Sequence, residues 1–166
     1  MELPEFTEKF GSIFEHSAWV AEQAHSIWRT DYSGELNLLA VHSAMVSAFR
    51  NASEAERLDV LKAHPDLAGK LAQAKRLTEA STTEQASAGL DALTDDERTS
   101  FTALNKRYVE KFDFPFIIAV RDHTKSSILS AFQERIEHAM ETEFAEGCYQ
   151  VERIAYHRLK GMFADG

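Results

Sequence analysis

The sequence holds few of the residues that form disulfides, linkers or membrane spans. Its only cysteine, Cys148, excludes a disulfide within the chain. Seven glycines and three prolines among 166 residues form no linker, and no repeat or low-complexity tract is present. No run of about 18 apolar residues could cross a bilayer, so we expect no membrane span. These absences predict one compact domain over residues 1–166.

Targeting signals and excess positive charge are also missing. The opening MELPEFTEKF is neither basic nor apolar enough for a signal peptide, and the closing MFADG is not a peroxisomal signal, so we expect a cytoplasmic protein. Eighteen basic residues against 27 acidic ones give a net charge of −9. An acidic surface repels phosphate backbones and anionic lipid, which excludes nucleic acid and membrane surfaces as expected partners.

Sequence motifs for metals, nucleotides and serine nucleophiles are absent. The seven histidines form no H-x-x-x-H or H-E-x-x-H pair, and there is no G-x-S-x-G, P-loop or G-x-G-x-x-G. Cys148 falls on an apolar helical face, which favours an inert buried thiol over a nucleophile. Any chemistry is therefore expected to need neither a metal nor a nucleotide cofactor.

Apolar residues recur at helical spacing along almost the whole chain, which predicts an all-α bundle of about eight helices. The pairs Ser53/Glu56 and Thr94/Glu97 predict capping boxes, and Ser17 and Thr142 are further predicted helix caps. One segment breaks the helical pattern: the run FPFIIAV at 114–120 is continuously apolar around a proline. It predicts buried extended chain.

His64 is the most informative histidine. Pro65 disfavours helix in the residue before it, so the sequence predicts that a helix stops near His64 and holds its ring in place. Imidazole titrates near neutrality and can therefore exchange a proton at working pH. The alternative is a purely structural histidine, favoured at a helix carboxyl end by the helix dipole.

Three further places could bind a ligand. Ser81, Glu84 and Gln85 lie at a predicted helix start, which can bind anionic groups, although Ser81 and Glu84 could equally form a structural capping box. The main chain of 114–120 could pair with a planar ureide, or it could simply be core. Arg158 falls on an apolar helix stripe, where it could meet a ligand, form an internal ion pair or extend past the stripe into solvent.

Taken together, four segments resemble the family of 2-oxo-4-hydroxy-4-carboxy-5-ureidoimidazoline (OHCU) decarboxylases. They are FGSIFEHSAWVAE (10–22), HPDLAGK (64–70), LTEASTTEQASAGLDAL (77–93) and LNKRYVEKFDFPFIIAV (104–120), and the closing IAYHRLKGMF (154–163) is also similar. The combination of HPDLA, a following EQ and then KFxFPFI is specific to the family. Two positions depart from its usual pattern: Asp113 stands where glycine is common, and Ala18 where proline is common.

The resemblance implies an α-helical bundle, a homodimer, and a small-molecule substrate, OHCU, that is decarboxylated to (S)-allantoin in urate degradation without a cofactor or metal. It implies His64 and Glu84 as catalytic residues. The substrate-binding residues that it implies are Pro65, Ser81, Thr82, Thr83, Gln85, Phe116, Ile117, Ile118, Ala119, Val120 and Arg158.

The chemistry of the substrate suggests roles for these residues. Glu84 orients the substrate hydroxyl or accepts its proton, and His64 delivers a proton as general acid. Arg158 ranks lower, because tight binding of the carboxylate in the ground state would oppose its loss. Two alternatives stay open: hydrolysis of a related ureide or hydantoin ring, and a non-enzymatic helical interaction module.

Overall fold

The protein is built from helices. The computed structural model describes residues 1–65 and 93–165, and within these two ranges it contains seven α-helices and no strand, which confirms the predicted all-α class and comes close to the predicted count. The helices are α1 Leu3–Phe10, α2 Trp19–Asp31, α3 Leu38–Asn51, α4 Glu54–Ala63, α5 Asp95–Phe112, α6 Lys125–Arg135 and α7 Met140–Asp165, with a short 3₁₀ turn at Val120–Asp122 between α5 and α6.

The chain divides into two compact units. The first unit comprises Met1–Ala63 and Glu152–Gly166, and the second unit comprises His64–Val151. The long helix α7 contributes its first part to the second unit and its last part to the first unit. The single domain expected from the sequence stays a prediction.

Aromatic packing builds the core of the first unit. Pro4 stands in the first turn of α1, where its missing N–H costs nothing, and the helix buries Phe6 and Phe10. The Phe6 ring lies 4.9 Å from that of Trp28 on α2. Asn37 caps α3 by accepting a hydrogen bond from the Ala40 N–H.

Two predicted caps are wrong and two predicted capping boxes are confirmed. The Ser17 hydroxyl donates to the Glu15 carbonyl instead of capping α2, whose cap position is Ala18. Helix α7 begins at Met140, so Thr142 lies inside its first turn. The reciprocal bonds of Ser53/Glu56 and Thr94/Glu97 are both present. In each box, the side chain of one residue bonds the backbone N–H of a residue only three positions away, so the local sequence is enough to specify the box.

In the second unit, residues 114–119 connect α5 to the 3₁₀ turn without helix or strand, and Ala119 has extended dihedral angles. We call residues 114–120 the extended segment. Helix α5 ends at Phe112, and its C-cap residue Asp113 has a φ of 59° and a ψ of 25°, in the left-handed region. Glycine is favoured there, and aspartate is among the few other residues that adopt the conformation readily, which explains how Asp113 is accommodated. Every residue from Phe114 to Val120 is buried, as predicted.

None of the described helices combines the length and the apolar character that crossing a bilayer requires.

Candidate active site

His64 lies where the sequence predicts it. Helix α4 ends at Ala63, and His64 follows directly, before Pro65. The residue is buried, with 7% of its surface exposed. Its imidazole is therefore held in the protein interior at the carbonyl end of a helix.

The predicted catalytic partner of His64 is Glu84, and the structure does not describe this residue. Glu84, with Ser81, Thr82, Thr83 and Gln85, is outside the described residues. The predicted meeting of an imidazole and a carboxyl group across one ligand therefore stays a prediction. Among the residues that are described, no group of three or more histidine, cysteine, aspartate or glutamate side chains could hold a metal ion.

The extended segment is anchored by a buried arginine. Arg135, on the buried face of α6, donates from Nη1 to the Ile117 carbonyl over 2.6 Å. Its guanidinium carbon also lies 4.3 Å from the centre of the Phe116 ring. Phe116 in turn stacks on Phe132, with ring centres 3.8 Å apart and planes 8° from parallel. One guanidinium therefore fixes both a ring and a carbonyl of the segment.

Glu143 neutralises this arginine. The Arg135 Nε lies 2.6 Å from Glu143 Oε1, and the carboxylate is fully buried. The Tyr108 hydroxyl donates to the same oxygen over 2.6 Å, and His138 Nδ1 lies 3.1 Å from the other oxygen. Burial raises the pKa of the Tyr108 hydroxyl well above its usual range, and the bond to Glu143 adds to the shift. Tyr108 therefore stays a neutral donor to Glu143 at physiological pH.

A second anchor holds the segment two residues further on. The Gln150 side-chain oxygen, on α7, accepts the Ala119 N–H over 2.9 Å, and the Gln150 amide donates to Glu146 over 2.8 Å. Arg135 and Gln150 thus bond the two peptide units on either side of Ile118.

These two anchors determine where the polar groups of Ile118 point. In a planar trans peptide the C=O and N–H point in opposite directions, and the described chain has no cis peptide bond. Because the Ile117 carbonyl points to Arg135, the Ile118 N–H points away from it. Because the Ala119 N–H points to Gln150, the Ile118 carbonyl, which belongs to the same peptide unit, points away from Gln150. No hydrogen bond to either group of Ile118 is found among the described residues.

Arg158 lies in the first unit and forms an internal ion pair. Its Nη2 is 3.2 Å from Glu15 Oε2, and its Nη1 donates to the Ile13 carbonyl over 3.2 Å. Both charged side chains are buried. This is one of the alternatives that the sequence left open for Arg158, and its predicted contact with substrate stays a prediction.

Comparison with known proteins identifies the family. The sequence profile of the OHCU decarboxylase family matches residues 1–160. The chain belongs to the OHCU decarboxylase family. It is similar to the 2-oxo-4-hydroxy-4-carboxy-5-ureidoimidazoline decarboxylase of Haloferax volcanii, with 40% identity over 96% of this chain and 89% of that protein.

Two longer proteins contain regions similar to this OHCU decarboxylase family member. The uric acid degradation bifunctional protein of Bacillus sp. strain TB-90 is 35% identical over 100% of this chain, which covers 31% of that protein. A crystal structure of (S)-allantoin synthase superposes with a TM-score of 0.76 at 32% identity, over 97% of this chain and 50% of that one. The fold is therefore that of a solved relative.

Sequence reasoning did not single out the residues that anchor the extended segment in this family member. Arg135 continues the buried stripe of α6 formed by Ile128 and Phe132, at the i+7 position. A charged residue at such a position needs a buried partner, and this signal could have drawn attention to it. Gln150 carries no comparable signal, because an amide on a half-buried helix face is common.

Proposed function

We propose that this chain catalyses the decarboxylation of OHCU to (S)-allantoin, the reaction for which its relatives are named. The observation that carries the proposal is that the N–H and C=O of Ile118, in a buried segment, have no hydrogen bond to any described residue. A cyclic ureide presents an N–H and a C=O side by side on its ring. One residue of extended chain offers the complementary donor and acceptor, as a neighbouring strand does.

Because the segment is buried, a hydrogen bond from the ligand to the Ile118 N–H or C=O contributes to binding. A buried peptide group without a hydrogen bond costs free energy, on the order of 1–3 kcal/mol. A ureide ring bonded to Ile118 recovers that cost, whereas an apolar ligand leaves it in place. The segment is therefore selective for a planar ring with alternating donors and acceptors.

The reaction places a demand on charge as well as on shape. As CO₂ leaves, the electron pair of the broken C–C bond passes into the adjoining C=N system. The substrate hydroxyl loses its proton and becomes the ring carbonyl. The ureido-bearing carbon takes up one proton and the former imine nitrogen takes up another, so decarboxylation of the carboxylate consumes one proton overall. An N–H fixed at the ring edge, such as that of Ile118, stabilises the charge as it develops.

His64 is the proposed proton donor, and Glu84 the proposed acceptor of the hydroxyl proton. His64 is supported by its burial in the same unit as Ile118 and by its place at a helix carboxyl end. A donor fixed on one side of the ring protonates one face, and this yields a single enantiomer. Proton transfer of this kind contributes roughly 10²–10⁴-fold to the rate.

Pro65, the Ser81–Gln85 stretch, the main chain of 116–120 and Arg158 complete the proposed substrate contacts. We also propose a homodimer, as the resemblance to the family implies, and a cytoplasmic location, as the sequence predicts. Sedimentation equilibrium tests the dimer, and a mass corresponding to one 18.7 kDa chain would contradict it.

Substrate labelled with ¹³C in the carboxylate tests the reaction. We expect labelled CO₂ to appear in step with OHCU consumption, and EDTA to leave the rate unchanged. Consumption of OHCU with the label retained in the product would instead indicate ring hydrolysis. Consumption no faster than in buffer would favour an interaction module.

A further inference from the structure

We infer that Arg135 and Gln150 are positioning residues that clamp the peptide units on either side of Ile118 and thereby aim its N–H and C=O at the substrate. This inference rests on the proposed function and assigns the reaction two residues that do not touch the reacting atoms. We call Arg135 and Gln150 the Ile118 clamp.

The two halves of the clamp act on successive peptide units. Arg135 bonds the carbonyl of the unit that contains the Ile118 N–H, and Gln150 bonds the N–H of the unit that contains the Ile118 carbonyl. Each unit is planar, so fixing one of its ends fixes the direction of the other. Rotation of either unit would turn one half of the donor–acceptor pair away from a bound ring.

The arginine half of the clamp is itself held rigidly. Its Nε bonds Glu143, which also accepts from Tyr108 and faces His138. A guanidinium is a planar fork, so one group can bond the carboxylate, bond the Ile117 carbonyl and stack on a ring at the same time. A lysine ammonium at this position carries the charge but cannot reproduce these three contacts together.

Stability alone is a weak reason for this arrangement. Replacing a buried ion pair by well-packed apolar residues is often neutral or stabilising, because two charges must be removed from water. What apolar residues cannot supply is a hydrogen bond to the Ile117 carbonyl. The direction of that carbonyl, and with it of the Ile118 N–H, is therefore the property that Arg135 specifically provides.

Arg135→Lys tests the arginine half. At a temperature well below the melting transition, we expect kcat/KM for OHCU to fall by about tenfold or more, since small misplacements of binding groups are costly. Amide hydrogen exchange of the 114–120 segment should accelerate as well. Wild-type kcat/KM together with wild-type exchange would overturn the inference.

Tyr108→Phe is the matched control in the same buried cluster. It removes one hydrogen bond to Glu143 and leaves the Arg135–Ile117 contact in place, so we expect a lower melting temperature but kcat/KM within about twofold of wild type. A loss of kcat/KM as large as that of Arg135→Lys would show that the cluster acts through general stability, and would overturn the positioning role.

Gln150→Met tests the glutamine half of the Ile118 clamp without changing the buried charges. It also tests the positioning role if Arg135→Lys fails to fold. It should lower kcat/KM by about tenfold and accelerate exchange at Ala119; unchanged values for both would overturn the inference. Hydrogen exchange reports on the clamp even without turnover. A wild-type chain that does not decarboxylate OHCU would refute the proposed function, whereas unchanged exchange in both variants would refute the clamp.

Discussion

Each of the two units contains a buried arginine that bonds both a glutamate and a main-chain carbonyl, but the two arginines are held differently. In the second unit, Arg135 Nε lies 2.6 Å from Glu143 Oε1 and Nη1 lies 2.6 Å from the Ile117 carbonyl oxygen. In the first unit, Arg158 Nη1 lies 3.2 Å from the Ile13 carbonyl oxygen and Nη2 lies 3.2 Å from Glu15 Oε2. The shorter contacts belong to the arginine that sequence reasoning did not single out.

The difference separates two uses of the same side chain. Arg135 sits in a cluster in which one carboxylate serves three neighbours and one carbonyl of the extended segment is fixed, an arrangement suited to positioning. The bonds of Arg158 to Glu15 and to the Ile13 carbonyl are longer, and they do not test its predicted contact with substrate. We therefore assign Arg135 the role of positioning the extended segment. Contact with the substrate stays the prediction for Arg158.

The largest effect is expected from a change in the second unit, where the proposed proton donor His64 lies. His64→Asn removes the proposed proton donor and should lower kcat by about 10²–10⁴-fold, with a melting temperature near that of wild type. Steady-state kinetics with a parallel thermal melt measures both. Full activity in this variant would place the chemistry elsewhere, and the first unit would become the region to search.

Removing either carboxylate compares the two ion pairs directly. Glu143→Gln should lower the free energy of unfolding by about 3–5 kcal/mol, because it leaves the buried Arg135 without a counter-charge. Glu15→Gln should cost less, since its contact with Arg158 is longer. Urea unfolding of both variants measures the difference, and equal losses would argue against the distinction drawn between the two pairs.

The role of Arg158 is tested by Arg158→Lys, which keeps the charge opposite Glu15 and loses the planar fork. If Arg158 contacts the substrate, kcat/KM should fall by about tenfold, equivalent to about 1.4 kcal/mol, in a protein that is still folded. Kinetics at saturating and limiting OHCU separates binding from turnover. An unchanged kcat/KM would leave Arg158 as an internal ion pair alone.

The smallest expected effect concerns the turn into the extended segment. Asp113→Val places a β-branched residue in the left-handed conformation and should lower the free energy of unfolding by about 1–2 kcal/mol. Asp113→Gly is the matched control and should be more stable than the valine variant, because glycine adopts the left-handed conformation without a steric penalty from Cβ. Both are measured by urea unfolding. Equal stability of the valine and glycine variants would contradict this account of the turn.

The sequence predicted the features that depend on neighbours in the chain. The helix stop before Pro65, the Thr94/Glu97 capping box and the burial of 114–120 all follow from local chemistry, and all three are present. The error at Ser17 is also local, because its hydroxyl bonds the Glu15 carbonyl two residues away instead of a helix N–H.

The candidate site was only partly predictable for a different reason. Arg135 and Glu143 come together because the chain turns between the end of α6 and the start of α7, and Gln150 meets Ala119 across 31 residues of sequence. Hydrophobic periodicity gives the face of each helix but not the register between helices. The resemblance to a family supplied the predicted substrate contacts, but it did not identify the residues that hold them in place.

Circular dichroism of freshly generated OHCU tests the central claim most directly, because fixed protonation on one face must produce one enantiomer. With the protein present, we predict a dichroic signal of (S)-allantoin that develops faster than OHCU decays in buffer. Optically inactive product formed at the rate seen in buffer would contradict the account.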